Sequence, residues 1–413
     1  MAPAADLPSV PPQRPTRISP AFVALIGSMT ALGAFTTDTY LPSLPAVGLD
    51  LGASPAATQL TISGTLIGAA LGQLVIGPLS DRFGRRRPAL IGITVHIVAS
   101  LLCVVAPGIV PLIGLRVLQG VGNSAAGVVA MAVIRDRYVG SAAARVISRL
   151  MLIIGAAPLF APSIGGLIAG VWGWRAVFVA LALLGVGIGL LVLRWLPETL
   201  AVERRQAAGV RGALRGYRAL LRDRHFVALA VLPGLGQATL MSYVAGSPYV
   251  LRQGFGLSAN QFALLFAING AGLVAGAQVN GWLVYRVAPI RILRLMIPMA
   301  IGLAVMLLLI ARAGTGGLIG ILVPLWFLLA INGFVAPNAS ALALSRHGER
   351  AGTAAAMIGS LQVGLAGAVI PLVGLVGEDA AAMTSVMLGC LVAALSVLAF
   401  ATPAYRRGGW TGV

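Results

Sequence analysis

Twelve apolar segments, each close to the 20 or so residues a helix needs to cross about 30 Å of hydrocarbon, constrain this chain more than any other feature. They fall at residues 20–41, 58–79, 88–106, 109–134, 146–170, 174–196, 226–250, 261–284, 291–311, 317–340, 352–376 and 380–401. A chain that is 58% hydrophobic and only 10% charged cannot clothe a water-facing surface, because soluble domains carry about a quarter charged residues. The bilayer is therefore the solvent to reason from, and in it backbone polar groups must be paired internally, as helices pair them. The expected fold is an all-α membrane protein. Its 53 glycines and 24 prolines suit that medium, where small residues let helices pack closely and proline kinks are tolerated.

The formal net charge of +18 comes entirely from arginine and follows topology. With the N-terminus inside, 25 of the 29 arginines fall in inside segments, Arg175, Arg252 and Arg312 fall outside, and Arg116 stands alone within a span, away from its ends. The positive-inside rule then gives a multi-pass protein of the cell (inner) membrane with both termini cytoplasmic, and it removes the need for a nucleic-acid partner. Residues 1–19 read as a cytoplasmic tail, since no small-residue cleavage site ends the first apolar run. Cys103 and Cys390 lie inside apolar segments and indicate neither a disulfide framework nor a metal pair. His96, His225 and His347 have no second ligand at metal spacing and read as structural, so no cofactor and no metal is expected.

The longest hydrophilic stretch splits the segments into two sets of six. The expected domains are an N-terminal tail (1–19), an N-terminal bundle (20–196), a cytoplasmic linker (197–225), a C-terminal bundle (226–401) and a C-terminal tail (402–413). The linker reads either as an amphipathic helix on the anionic leaflet or as a solvated tether. A shift of 204 residues lays Gly77 on Gly281, Leu79 on Leu283, Arg82 on Arg286 and Arg87 on Arg291, but Asp81 on Tyr285 and Arg116 on Gly320. Two repeated six-helix bundles match the architecture that rocks about a central cavity near the bilayer midplane.

Among the spans only Asp38 is acidic, and Arg116 is the arginine that stands more than about one turn from a span end. A charge at the bilayer centre costs about 2.5–3.5 kcal/mol on insertion scales, so each needs a reason to be there. Counting 1.5 Å of rise per residue puts both in the outer half of the membrane, within reach of one another. Asp38 is the candidate proton carrier, its proton affinity set by solvent and by the distance to Arg116. A static ion pair, or an Asp38 already in the outer headgroup region, is the competing reading.

The string Gly77-Pro78-Leu79-Ser80-Asp81-Arg82-Phe83-Gly84-Arg85-Arg86-Arg87 resembles the loop motif of the major facilitator superfamily. Arg116-Val117-Leu118-Gln119-Gly120 is similar to its fourth-helix motif. Gly155, Pro158, Pro162, Gly165 and Gly166 resemble the antiporter motif of its drug:proton exchangers, with Ala161 standing where the family has glycine before the proline. Asp38-Thr39-Tyr40-Leu41-Pro42-Ser43-Leu44-Pro45 and Ser247-Pro248-Tyr249-Val250-Leu251 look like the bicyclomycin and chloramphenicol resistance branch, Bcr/CflA. The resemblance implies the major facilitator fold with 12 transmembrane helices in two bundles, a role for Arg116 in proton transfer, and a gate in which Asp81 meets the N-terminus of the eleventh span. Gly77 would let a neighbouring helix approach there, with Arg82, Gly84 and Arg85 completing the gate. In the fifth span the prolines permit a kink and the glycines a smooth packing face, as do Gly272 and Gly276 in the eighth.

Candidates for a substrate cavity are Phe35, Tyr40, Gln119, Asn123, Gln237, Tyr243, Asn269 and Asn332, with Gln362 and Phe160 beside them. A cavity so poor in charge suits neutral or weakly polar molecules. The implied function is proton-coupled efflux of small drug-like molecules, chloramphenicol- or bicyclomycin-like, by a monomer whose partners are substrate and lipid, with protons as the coupling ion. A facilitator or symporter of an endogenous metabolite is the alternative. An enzyme is not expected, because no catalytic carboxylate pair, metal cluster or nucleophile with its base is present.

Overall fold

The structure, a computed structural model, describes residues 19–138, 140–205, 209–345, 347 and 351–401. Both expected tails lie outside the described residues, apart from Ser19 at the end of the first.

Eleven helices among the described residues are long and apolar enough to cross a membrane, and the apolar Phe160–Trp172 part of the 33-residue Gly140–Trp172 helix supplies the twelfth. The first six spans are Pro20–Asp38, Pro55–Phe83, Arg86–Val104, Ile109–Arg137, Gly140–Trp172 and Trp174–Trp195. The last six are Arg224–Ser247, Ala259–Leu283, Pro289–Ala313, Gly317–Asn332 continued by Val335–Leu344, Ala351–Val376 and Ala380–Ala401.

The first span departs from expectation in a way that matters. Its α-helix stops at Asp38 rather than running to residue 41, and a 3-10 turn at Leu41–Ser43 leads into a short helix, Leu44–Asp50. Pro42 and Pro45 are the reason, since neither has the N–H that would continue the ladder back to residues 38 and 41. The regular α-helical ladder is therefore interrupted just after the acidic residue.

The sequence repeat recurs in the helices. Ser54 caps the second span by accepting from the Ala57 N–H, and Ser258 caps the eighth by accepting from the Gln261 N–H. Within each half the same crossings recur. A Cβ on Gly68 would overlap the Val117 carbonyl of the fourth span, and one on Gly276 would overlap the Ala330 carbonyl of the tenth.

The two halves meet where the second span packs on the eleventh and the fifth on the eighth. On the face away from the arginine-rich loops the junction is closed. Tyr40, Leu41 and Leu44 share one apolar cluster with Tyr249, Val250 and Leu251. The Arg252 guanidinium donates to the Pro42 carbonyl at 3.0 Å, and the Gly374 N–H donates to Gln59 Oε1 at 2.9 Å. Towards the arginine-rich face the halves part around a cavity of about 1090 Å³.

The linker holds a helix, Gly209–Arg222. Instead of lying wholly on lipid or in water, it buries Tyr217 and Leu220 in the apolar cluster of the seventh span, and Tyr217 donates to the Leu74 carbonyl of the second span at 3.1 Å.

Candidate functional site

The cavity runs from Asp38, Thr37, Thr65 and Asn123 in the membrane interior to Asp81, Asp136, Tyr217 and Thr353 at the arginine-rich mouth. Asp38 is 7% exposed, turns into this cavity, and is in none of the ion pairs among the described residues.

Arg116 is fully buried but is not joined to Asp38. Its guanidinium donates to the Thr36 carbonyl at 3.4 and 3.5 Å, to the Thr61 carbonyl at 3.3 Å and to Gln119 Oε1 at 2.5 Å. It also stands over the Tyr40 ring at 4.7 Å and the Phe178 ring at 5.6 Å. The anticipated pairing is therefore absent in this conformation. The physical reason is that backbone carbonyls, an amide and two aromatic faces already satisfy the cation. Through Thr36 it nevertheless fixes the turn of backbone that carries Asp38. Gln119 passes the connection on, donating from Nε2 to Ser100 Oγ at 2.7 Å.

Gly165 of the expected antiporter motif faces the same turn, and a Cβ there would overlap the Thr39 carbonyl. Only glycine lets the fifth span cross so close to the end of the first helix. Pro162 is buried and Gly166 half-buried in that span, while the side-chain surroundings of Gly155 and Pro158 lie outside the described residues.

The loop motif forms a cluster at the mouth. Arg85 pairs with Asp81 at 2.5 Å and with Asp136 at 2.8 Å, and donates to Ser80 Oγ at 2.8 Å. Thr199 donates to Asp136 at 2.8 Å. The Glu198 carboxylate accepts from the backbone N–H groups of Arg85 at 2.8 Å, Leu200 at 3.1 Å and Arg86 at 3.2 Å, and so caps the third span. Partial burial pushes Glu198 up, but these three donors outweigh it and hold its carboxyl below the usual range. Gly84 has φ +90 and a Cβ there would meet the Glu198 carboxylate, which explains glycine at that position. Arg82 lies over the Phe83 ring at 5.1 Å.

Two expectations for this loop need correction. Gly77 faces open space rather than a close neighbour. Asp81 pairs within its own half, and it shares the mouth with Gly352 of the eleventh span without a hydrogen bond to it among the described residues. Both follow from a mouth that is open here.

Of the eight substrate-binding candidates, Asn123 and Gln237 line the cavity. Phe35, Tyr40, Gln119, Tyr243, Asn269 and Asn332 do not. Tyr40 and Gln119 serve Arg116. Asn269 donates to the Tyr243 hydroxyl at 3.1 Å, Tyr243 stacks on Phe266 at 5.5 Å, and Asn332 donates to the Gly236 carbonyl at 3.0 Å. Gln362 donates to Gln237 at 3.4 Å, and Phe160 points outward, 59% exposed. The sequence reading missed Gln73, Thr37, Thr65, Ser124, Met131 and Met241 in the lining, and Asp136 and Glu198 at the mouth. A polar residue in mid-span was the available signal for Gln73. The two acids look like ordinary loop-end charges until the fold brings them to Arg85.

The sequence profile of the Major Facilitator Superfamily matches residues 24–371. The chain is 34% identical over 382 residues to an MFS-type transporter, YdgK, of Bacillus subtilis, covering 92% of this chain and 94% of that one. It is 30% identical over 357 residues to a chloramphenicol resistance protein of Pseudomonas aeruginosa, covering 85% and 83%. A bacterial homolog of the human lysosomal transporter Spinster, solved in an inward-facing, unoccupied conformation, superposes with a TM-score of 0.71 at 15% identity, covering 96% and 100%. The chain is a multi-pass membrane transporter that belongs to the Major Facilitator Superfamily.

Proposed function

We propose that this transporter exports small, neutral or weakly polar drug-like molecules of the chloramphenicol type from the inner membrane in exchange for protons. The observation that carries the reading is Asp38, a carboxyl group that lines the cavity and is in none of the ion pairs among the described residues. Two other acids that line the cavity, Asp81 and Asp136, are held by Arg85. In this reading the arginine-rich face is cytoplasmic and the conformation faces inward.

Asp38 exchanges its proton with whichever side the cavity faces. The halves then rock, and opening the far side breaks the Arg252 contact to Pro42 and the Gly374 contact to Gln59. Closure of the mouth brings Asp81 to the positive N-terminal end of the eleventh span. Pairing of Asp38 with Arg116 in the other conformation is the alternative to protonation. Sequence similarity to a chloramphenicol resistance protein supports the substrate class.

The test is chloramphenicol uptake into inverted vesicles, whose outer face is the cytoplasmic one, under an imposed pH gradient with the interior acid. Gradient-driven transport in the intact chain and none in Asp38→Asn is the expected result, whereas full transport in that variant rejects Asp38 as the carrier. Downhill movement that ignores the gradient rejects exchange.

A further inference from the structure

The 14-residue linker helix, Gly209–Arg222, holds four arginines and no acid. Protein takes up one side of it. Tyr217 and Leu220 are buried against the seventh span, a Cβ on Gly216 would lie 3.1 Å from Thr353 of the eleventh, and Ala213 and Tyr217 line the cavity. On the opposite side Leu214 and Leu221 are 58% and 56% exposed. Their spacing, close to two turns, puts them on one strip. Arg218 falls one turn after the first and one turn before the second, with Arg215 and Arg222 a turn to either side of it, so arginine edges the leucine strip.

All three arginines are exposed, and they are in none of the ion pairs among the described residues. Asp223, the next residue, is already engaged: it accepts from the His225 and Phe226 N–H groups and stands 3.0 Å from His347 Nε2. The basic edge is therefore left to an outside anion.

Depth decides what the strip meets. Tyr217 donates to the Leu74 carbonyl, which lies more than two turns inside the Phe83 end of the second span. Leu71 and Val75, on either side of it in that span, are exposed apolar side chains, and on a membrane helix such side chains face lipid. The linker helix is thus held where the protein wall meets hydrocarbon, and leucines edged by arginine fit the boundary between acyl chains and headgroups. A solvated tether could carry the same arginines, but it would leave both leucines in water.

We propose that the outer face of the linker helix is a seat for anionic phospholipid of the adjoining leaflet, with Leu214 and Leu221 entering the acyl region and Arg215, Arg218 and Arg222 holding headgroup phosphates. Because Ala213 and Tyr217 on its inner side line the cavity, the leaflet braces one wall of the mouth. The seat is independent of which molecule is transported.

The test uses the full-length chain with Leu221→Cys carrying an environment-sensitive fluorophore, a selective label because Cys103 and Cys390 are buried. The protein is placed in nanodiscs of phosphatidylcholine mixed with phosphatidylglycerol, and bromination of the acyl chains of one lipid or the other makes that lipid the quencher. Quenching should report phosphatidylglycerol enriched about fivefold beside the label, the preference that one surface arginine supplies, and high salt should erode it. Changing Arg215, Arg218 and Arg222 together to glutamine should abolish the preference, whereas changing all three to lysine, which keeps the charge, should retain it. Equal quenching by the two lipids with the arginines intact overturns the proposal, and so does a preference that survives the glutamine changes. A lysine set that loses the preference as fully as the glutamine set also overturns it, because charge is then not what selects the lipid. Blue-shifted emission without quenching means that protein covers the face, a second copy of this chain where a disc holds two, and red-shifted emission means that water does; either result overturns the seat.

Discussion

Ser54 and Ser258 cap the second and eighth spans alike, and glycines carry both spans into close crossings with the fourth and tenth. At the same shift of 204 residues the charges disappear. Asp38 falls on Ser242, whose hydroxyl bonds the Ala238 carbonyl within its own helix, and Arg116 falls on Gly320. Asp81 falls on Tyr285, which is 90% exposed, Arg85 on Pro289 and Asp136 on Ser340. Where the first half joins its helices through arginine–carboxylate pairs at the mouth, the second has a histidine–carboxylate contact, His347 Nε2 to Asp223 Oδ2 at 3.0 Å, and otherwise uses amides: Asn338 donates to Asn280 at 2.6 Å and Asn332 to Gly236. The difference teaches that backbone crossings repeat because helix geometry repeats, whereas a charge near lipid is costly and is kept where it has work.

Four variant comparisons would break or sharpen that contrast. The largest effect is expected at the paired positions 38 and 242. Asp38→Asn should lower gradient-driven efflux by about 100-fold or more, a barrier change of about 2.7 kcal/mol, while Ser242→Ala leaves efflux intact in the same vesicle assay. Equal losses would mean that the halves share the coupling chemistry after all.

Next come the two kinds of polar joint. Arg85→Ala takes the guanidinium away from a largely buried Asp136 and a partly exposed Asp81 and should cost about 2 kcal/mol, whereas Asn338→Ala should cost about 1 kcal/mol. Thermal unfolding of the two variants in one detergent decides it, and equal shifts would erase the distinction. The shared scaffold predicts the opposite pattern, since Gly68→Leu and Gly276→Leu each drive a side chain into a backbone carbonyl and should each cost about 2 kcal/mol. A clear inequality between them in the same melts would show that the crossings are not equivalent.

The smallest effect is the pH response of the Glu198 cap, which has no charged counterpart in the second half because position 402, at the same shift, is threonine. Its carboxyl is held below the ordinary value in the folded protein. Its stabilisation is therefore complete above about pH 5 and is lost as pH falls from the unfolded value near 4 through the lower folded one. The melting temperature of the intact chain should drop more steeply between about pH 5 and pH 3 than that of Glu198→Gln, and parallel curves would remove Glu198 as the cap.

Much of the scaffold was legible in the primary structure. Twelve apolar runs, an arginine bias and a repeat are local or additive signals, and the bilayer turns them directly into spans. The loop motif led to Arg85 and Asp81 because its residues are close in sequence. Asp136 and Glu198 escaped notice because they reach Arg85 from 51 and 113 positions away. Polar residues in spans divided in the same way: Asn123 and Gln237 face the cavity, while Tyr243, Asn269 and Asn332 satisfy one another or a neighbouring backbone, and nothing in their local sequence separates the two groups.

By itself the sequence determined that this chain crosses a bilayer twelve times, that its halves are related, and that the carboxyl of Asp38 and the guanidinium of Arg116, away from the span ends, stand inside the spans. Only the tertiary structure decided that the two are unpaired, that the helix breaks at Asp38, that Gly165 lets the fifth span cross beside that break, and that the cavity opens on the arginine-rich side. The reason is physical: crossing hydrocarbon depends on the composition of a single helix, whereas pairing and exposure depend on which helices touch and on which side they part.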